Sequence, residues 1–226
     1  DASHELRTPI TAILGQAELA LSRPRTPDAY QESLHRIEDE AQRMQRLVGR
    51  MLTLARAEGG QQVLEFVPTD TVALLRTLTE TLSAQHEGAG ISFVLDLPAD
   101  LTIVTDADCL TQILLNLLEN AVAYAGDGAV DVALQVEGAG VRIQVSDSGP
   151  GIDPASLPHI FEPFYRVDPS RQRQSGGVGL GLALAHELAG LLGGRLEAAN
   201  RAEGGAQFTL HLPLKPPAGA SAAPGI

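Results

Sequence analysis

The 226-residue chain has no tryptophan, three tyrosines, five phenylalanines and one cysteine. A single cysteine excludes an intrachain disulfide framework, and Cys109 reads as a small apolar residue on a packed helix. With aromatics at 4% and hydrophobic residues at 44%, the core has to be built mainly from aliphatic side chains. Positive charge is also scarce. Sixteen basic residues face 28 acidic ones, a formal net charge of −12, and a field of that sign repels phosphate backbones, which argues against a nucleic-acid-binding surface. Long hydrophobic runs are missing too. The most apolar window, 176–194, is glycine-rich and broken by His186 and Glu187, short of the roughly 20 apolar residues of a membrane helix. No signal peptide is visible, and the chain opens on an acidic polar segment without an initiator methionine. It therefore reads as a fragment, with a sensor or membrane anchor expected in a missing upstream region and membrane association expected only through it.

Residues 1–58 read as two amphipathic helices. Leu6, Ile10, Ile13 and Ala17 follow a 4,3,4 spacing, with Leu21 a turn further on. Tyr30, Leu34, Ile37, Ala41, Met44, Val48, Met51 and Ala55 alternate spacings of 4 and 3. This is the seam of a helical bundle. The breaker between them, 23–28, ends in Thr26-Pro27, an N-cap followed by proline at the first helical position. Two helices bury too little surface alone, so a second copy is expected to complete a four-helix bundle, making the protein a homodimer. Charged residues of the second helix, such as Glu38, Asp39 and Arg43, read as its solvated face.

The first turn of this hairpin carries chemistry. His4 and Glu5 are adjacent, and Thr8 lies one turn on, at i+4 from His4. A neutral imidazole is a nucleophile at physiological pH, and a carboxylate holding one ring proton frees the other nitrogen to attack. On the seam register His4 falls one position outside it, facing solvent. Pro9 removes the amide that would bond the Glu5 carbonyl, which predicts a kink beside the histidine.

Gly59-Gly60 marks a boundary, with 59–67 as linker and 68–213 as a second domain of mixed pattern. Strands are expected near 63–66, 91–95, 101–104, 130–136, 141–147, 195–199 and 207–212. Helices are expected near 70–84, 106–124 and 179–192. This order fits an antiparallel sheet covered on one face by helices. The proline-, alanine- and glycine-rich tail 214–226 is expected to be disordered. The fold class is α+β: a helical hairpin, then an α/β sandwich.

Four segments of this domain can serve one ligand. Asn116 and Asn120 lie four apart on an otherwise apolar helix, giving two amide oxygens on one stripe, of the hard kind that suits Mg²⁺. Asp147-Ser148-Gly149-Pro150-Gly151 follows a strand. Its carboxylate can accept from an exocyclic amine, while Gly149 and Gly151 admit a base close to the backbone. Gly176-Gly177-Val178-Gly179-Leu180-Gly181 opens an apolar helix, whose free amides suit phosphate. Phe161-Glu162-Pro163-Phe164-Tyr165-Arg166 precedes a polar stretch, 167–175. It reads as the anchor of a lid, with Arg166, Arg171 or Arg173 able to reach phosphates. A pair of asparagines, an Asp-x-Gly-x-Gly turn or a glycine-rich loop is weak evidence alone; the order and spacing together are specific.

Together with His4-Glu5-Leu6-Arg7-Thr8-Pro9, these segments resemble the phosphoacceptor box and the N, G1, F and G2 boxes of sensor histidine kinases. The catalytic domain of that family is similar to those of Hsp90 and type II topoisomerases. The resemblance covers residues 1–213. It implies that His4 accepts the γ-phosphoryl of ATP, with Glu5 as base or orienting carboxylate and Thr8 positioning water when the partner is dephosphorylated. It implies Asn120 as the Mg²⁺ ligand, Asn116 as support for phosphate or metal, and Asp147 as the adenine-reading carboxylate, with Gly149 and Gly151 shaping its pocket. Gly177, Gly179, Leu180 and Gly181 would line the triphosphate, and Arg166 would contact the γ-phosphate. From the histidine the phosphoryl would pass to an aspartate in the receiver domain of a response regulator. A cytoplasmic location is implied for this portion.

The sequence departs from the family at several points. Ala123 stands where many relatives have a basic residue, Ala206 where serine or threonine is frequent, and Leu192 where histidine is frequent. Asn116 occupies the position at which hydrolysing branches carry a glutamate, which favours transfer over hydrolysis. The rival readings are an ATPase or protein-serine kinase of the same superfamily, or a weakly active dimeric signalling scaffold. Among the other histidines, His35 lacks a following carboxylate, and His86, His159, His186 and His211 read as surface or packing residues.

Overall fold

The computed structural model describes residues 2–88, 90–126, 128–167 and 178–216. Two helices, α1 (Ala2–Leu21) and α2 (Pro27–Glu58), pack as a hairpin. Thr26 caps α2, its hydroxyl accepting from the Ala29 amide at 3.4 Å, with Pro27 in the first turn. The other side of the turn is closed by Ser22 Oγ and Arg25 Nε, both donating to the Leu19 carbonyl at 2.9 Å. α1 runs through Pro9 as one helix, with that ring buried.

The expected seam is only half covered. Ile10, Tyr30, Leu34 and Val48 are exposed, Leu34 by 62%. Leu47, Leu54 and Ala57 are instead buried in the core cluster of the second half, because α2 packs against α5.

The second half contains β1 (Phe66–Asp70), α3 (Thr71–Gln85), β2 (Ser92–Asp96), β3 (Thr102–Asp106), α4 (Ala107–Ala125), β4 (Ala129–Glu137), β5 (Gly140–Asp147), α5 (Gly181–Leu191), β6 (Arg195–Asn200) and β7 (Ala206–Pro213). The expectation of one antiparallel sheet needs correcting in two respects. The main sheet is mixed, in the order β2-β4-β5-β7-β6, with β2 parallel to β4. The stretch between those strands, containing β3 and α4, is long enough for the crossover that a parallel pair requires. β1 and β3 form a separate antiparallel ribbon, and β1 starts at Phe66, later than the strand expected near 63–66.

The core lies between the sheet and α3, α4 and α5. Along α4, Leu110, Ile113, Leu114, Leu117, Leu118 and Ala121 are all fully buried, as a helix flanked by two others and a sheet must be. β7 alternates buried and half-buried positions along its length, the period of a sheet with one face on the core. Asp106 fixes where α4 begins. Its Oδ1 accepts from the Cys109 amide and its Oδ2 from the Glu65 amide, both at 2.8 Å, so a single carboxylate caps the helix and anchors the approach to β1.

Candidate active site

The C-terminal turns of α4, the end of β5, the loop after it, residues 165–167 and the start of α5 surround a cleft of about 1080 Å³. Asn116, Asn120, Asp147, Gly151, Arg166, Gly179 and Gly181 all line it. Asn116 is 4% exposed, and its Nδ2 has no hydrogen-bond partner among the described residues. A buried donor left alone costs free energy unless something else accepts from it, so this amide calls for a ligand with acceptor oxygens. Asp147 is 1% exposed and held by the Gly149 amide at 2.8 Å and the Ala206 amide at 3.2 Å, both on Oδ1. Its orientation is thereby set, and Oδ2 is left to accept from something in the cleft.

Two glycines stand where the walls meet, and the first is required. Gly179 has φ +74°, and a Cβ there would come within 2.7 Å of the Tyr165 carbonyl oxygen. A Cβ on Gly181, at the start of α5, would stand 3.1 Å from Asn116 Oδ1, a tight contact that would push that side chain aside by a few tenths of an ångström. Segment 161–167 is fastened to this start. The Phe164 amide donates to the Gly179 carbonyl at 2.9 Å, Tyr165 donates to Ser156 Oγ at 3.0 Å, and Phe161 stacks on His186 with centroids 4.9 Å apart. Phe164 reaches this position with φ +67°, a strained value for a non-glycine residue.

Other sequence candidates fall elsewhere. Gly149 contributes its amide to Asp147 without lining the cleft, and Leu180 is 1% exposed, with its side chain in the core. Gly177, Arg171 and Arg173 lie outside the described residues, as does most of the tail. His4 and Thr8 are exposed, Glu5 is half-buried, and the Thr8 hydroxyl donates to the His4 carbonyl at 3.3 Å. None of the three lines the cleft.

The sequence reading missed several cleft residues. Glu119 lines the cleft and meets Arg50 of α2 at 3.1 Å. Arg43, read as solvated, and Arg46 join Arg50 there, and His86 and Tyr124 also contribute. Their spacing along α2 was visible, but what it faces depends on the docking of the hairpin. Ala206 supplies Asp147 with a backbone amide, which needs no hydroxyl side chain, and Leu192 is 1% exposed in the core.

Among the described residues, no helix is long and apolar enough to cross a membrane, and no group of three or more His, Cys, Asp or Glu is placed to hold a metal ion.

A mixed sheet packed against three helices, with a cleft between the ends of α4 and β5 and the start of α5, defines the fold class. The family model described as "Histidine kinase-, DNA gyrase B-, and HSP90-like ATPase" matches residues 105–216, and "His Kinase A (phospho-acceptor) domain" matches residues 1–60. The chain is 38% identical over 217 residues to the probable sensor histidine kinase TcrY of Mycobacterium tuberculosis, covering 95% of this chain and 45% of that protein. It is 33% identical over 218 residues to the signal transduction histidine-protein kinase BaeS of Escherichia coli, covering 95% and 46%. Among solved structures, the Acinetobacter baumannii histidine kinase AdeS superposes with a TM-score of 0.74 at 25% identity, covering 93% of this chain and 98% of that one. The histidine kinase ThkA in complex with the response regulator protein TrrA superposes with a TM-score of 0.75 at 26% identity, covering 93% and 59%. The chain belongs to the sensor histidine kinase family. It spans just under half the length of TcrY and BaeS.

Proposed function

We propose that the chain is the kinase core of a sensor protein. On this reading it binds Mg-ATP in the cleft, transfers the γ-phosphoryl to His4, and passes it on to a response regulator aspartate. The observation that carries this reading is the pairing of two buried polar groups facing one cavity: the Asp147 carboxylate with an oxygen to spare, and the Asn116 amide without a partner among the described residues. The carboxylate suits the adenine amine and the amide suits a phosphate oxygen. Gly151 shapes the base pocket, with Gly149 behind Asp147. The amides at Gly179, Leu180 and Gly181, at the N-terminus of α5, suit the phosphates, and the family resemblance gives Gly177 the same role. Arg166 is the candidate γ-phosphate contact.

Asn120, with Asn116 beside it, would hold Mg²⁺ through amide oxygen together with phosphates and water. Bound there, the ion would supply charge neutralisation. The Asn116 Nδ2, a donor without a partner among the described residues, fits the phosphate oxygens of that arrangement and not the ion itself.

The chemistry asked of the protein is positioning. A deprotonated imidazole nitrogen of His4 attacks the γ-phosphorus, the bond to the β–γ bridging oxygen breaks, and ADP leaves. Glu5 holds the proton on the other ring nitrogen and stabilises the imidazolium character that develops. Exposure of His4 suits an acceptor that must meet first a nucleotide and then a receiver aspartate. Thr8 is assigned to orienting water during dephosphorylation of the partner. Half-exposed seam residues support a homodimer, and the response regulator is assigned to the bundle near the hairpin base. The working division is 1–58 for the phosphoacceptor hairpin, 59–67 for a linker, 68–213 for ATP binding and 214–226 for the tail. A cytoplasmic location is part of this proposal.

Incubation with γ-labelled ATP decides between the readings. Protein-bound label that survives alkali and is lost in acid marks phosphohistidine and supports the kinase. Free phosphate without bound label marks an ATPase, alkali-labile label marks a serine kinase, and no turnover marks a scaffold.

A further inference from the structure

Four arginines line the cleft, and three of them, Arg43, Arg46 and Arg50, come from α2 and not from the elements that hold the nucleotide. Spaced three and four apart, they share one face of the helix, and that face is fixed because Leu47 among them is buried in the core of the other half. Their position at the cleft is therefore a consequence of packing and not of free rotation.

The cleft needs such cations. The chain carries −12 net charge, and the walls add the carboxylates of Glu119 and Asp147, so a polyphosphate enters against the prevailing field. Lysine is not available, since Lys215 is the chain's single lysine and does not line the cleft. Ala123, on the cleft wall three residues beyond Asn120, offers no charge.

The three arginines are differently engaged. Arg50 stands 3.1 Å from Glu119, neutralising that carboxylate and tying α2 to α4. Arg43 has only a long pairing of 3.8 Å with Glu40, one turn earlier. Arg46 pairs with none of the described residues.

We infer that the hairpin supplies part of the triphosphate site: Arg46 and Arg43 bind the phosphates, and Arg50 holds α2 in place against α4. This rests on the nucleotide reading of the cleft. It makes ATP a bridge between the two halves of the chain, gripped by α2 through its phosphates. No residue of α1 lines the cleft, so this grip belongs to the stage before transfer, when His4 is elsewhere.

The test uses the intact chain and calorimetric titration with Mg-ATP and with adenosine. Arg43→Gln combined with Arg46→Gln should weaken ATP by about 10- to 30-fold, the scale of one or two lost charge-assisted contacts at a part-exposed site, and leave adenosine unchanged. The corresponding double lysine variant should recover most of the loss. ATP affinity within about twofold of the parent would overturn the inference, and so would equal weakening of ATP and adenosine, which marks a structural effect. If the parent itself binds neither ligand, the nucleotide reading fails, and the inference with it.

Discussion

The two halves of this chain solve the problem of burial differently. The sheet-and-helix half closes its own core. α4 buries six aliphatic residues completely, and β5 and β7 turn every second side chain onto them. The hairpin keeps Leu34, Tyr30, Ile10 and Val48 largely open, and its best-buried residues, Leu47 and Leu54, are covered by the other half. One half buries most of its apolar surface on itself, while the other depends on neighbours for burial. That difference suits a signalling device, because the dependent half can be repacked by partners without melting the ATP site.

The largest effect that would sharpen this contrast comes from His4→Gln. Labelling by γ-labelled ATP should fall at least about 1,000-fold, the scale of losing a nucleophile, with ATP affinity unchanged. Asn120→Ala, in the other half, should lose both. A His4 variant that still labels would place the acceptor elsewhere. Next, Leu34→Glu with Val48→Glu should weaken a dimer by about 100-fold, since each puts a charge into an apolar seam. Sedimentation would report it, and the melting of the sheet half should barely move. A monomeric parent would remove the premise.

Asp106→Ala tests the self-sufficient half. It removes a helix cap and leaves two amides without their acceptor, so about 2–3 kcal/mol should be lost in urea unfolding. Arg50→Ala should cost far less, about 0.5 kcal/mol, as a part-exposed ion pair does. The remaining effect is confined to alkaline pH. Burial, and then the carboxylate of Asp106, push the Cys109 thiol from near 9 to about 12. The folded state therefore favours the neutral thiol. Its contribution is complete below pH 9 and declines as pH rises toward 12, a slope that Cys109→Ala should remove.

Much of this was legible in the chain because periodicity and spacing are local properties. The 4,3 alternation located both hairpin helices, Thr26-Pro27 located their turn, and the i,i+4 spacing put Asn116 and Asn120 on one stripe. Each follows from helix or turn geometry within a few residues, and so does the solvent-facing position of His4. The resemblance to the family's boxes, not local geometry, brought Asn120, Asp147 and Gly179 to one cavity. What the tertiary structure decided involves residues distant in sequence. β2 beside β4 in parallel, the ribbon of β1 with β3, Glu119 against Arg50 and the arginine face of α2 over the cleft all depend on which surfaces meet after folding. Charged side chains look alike along a helix whether they face water or a ligand, and only the burial of Leu47 by the opposite half determines which face Arg43 and Arg46 present to the cavity.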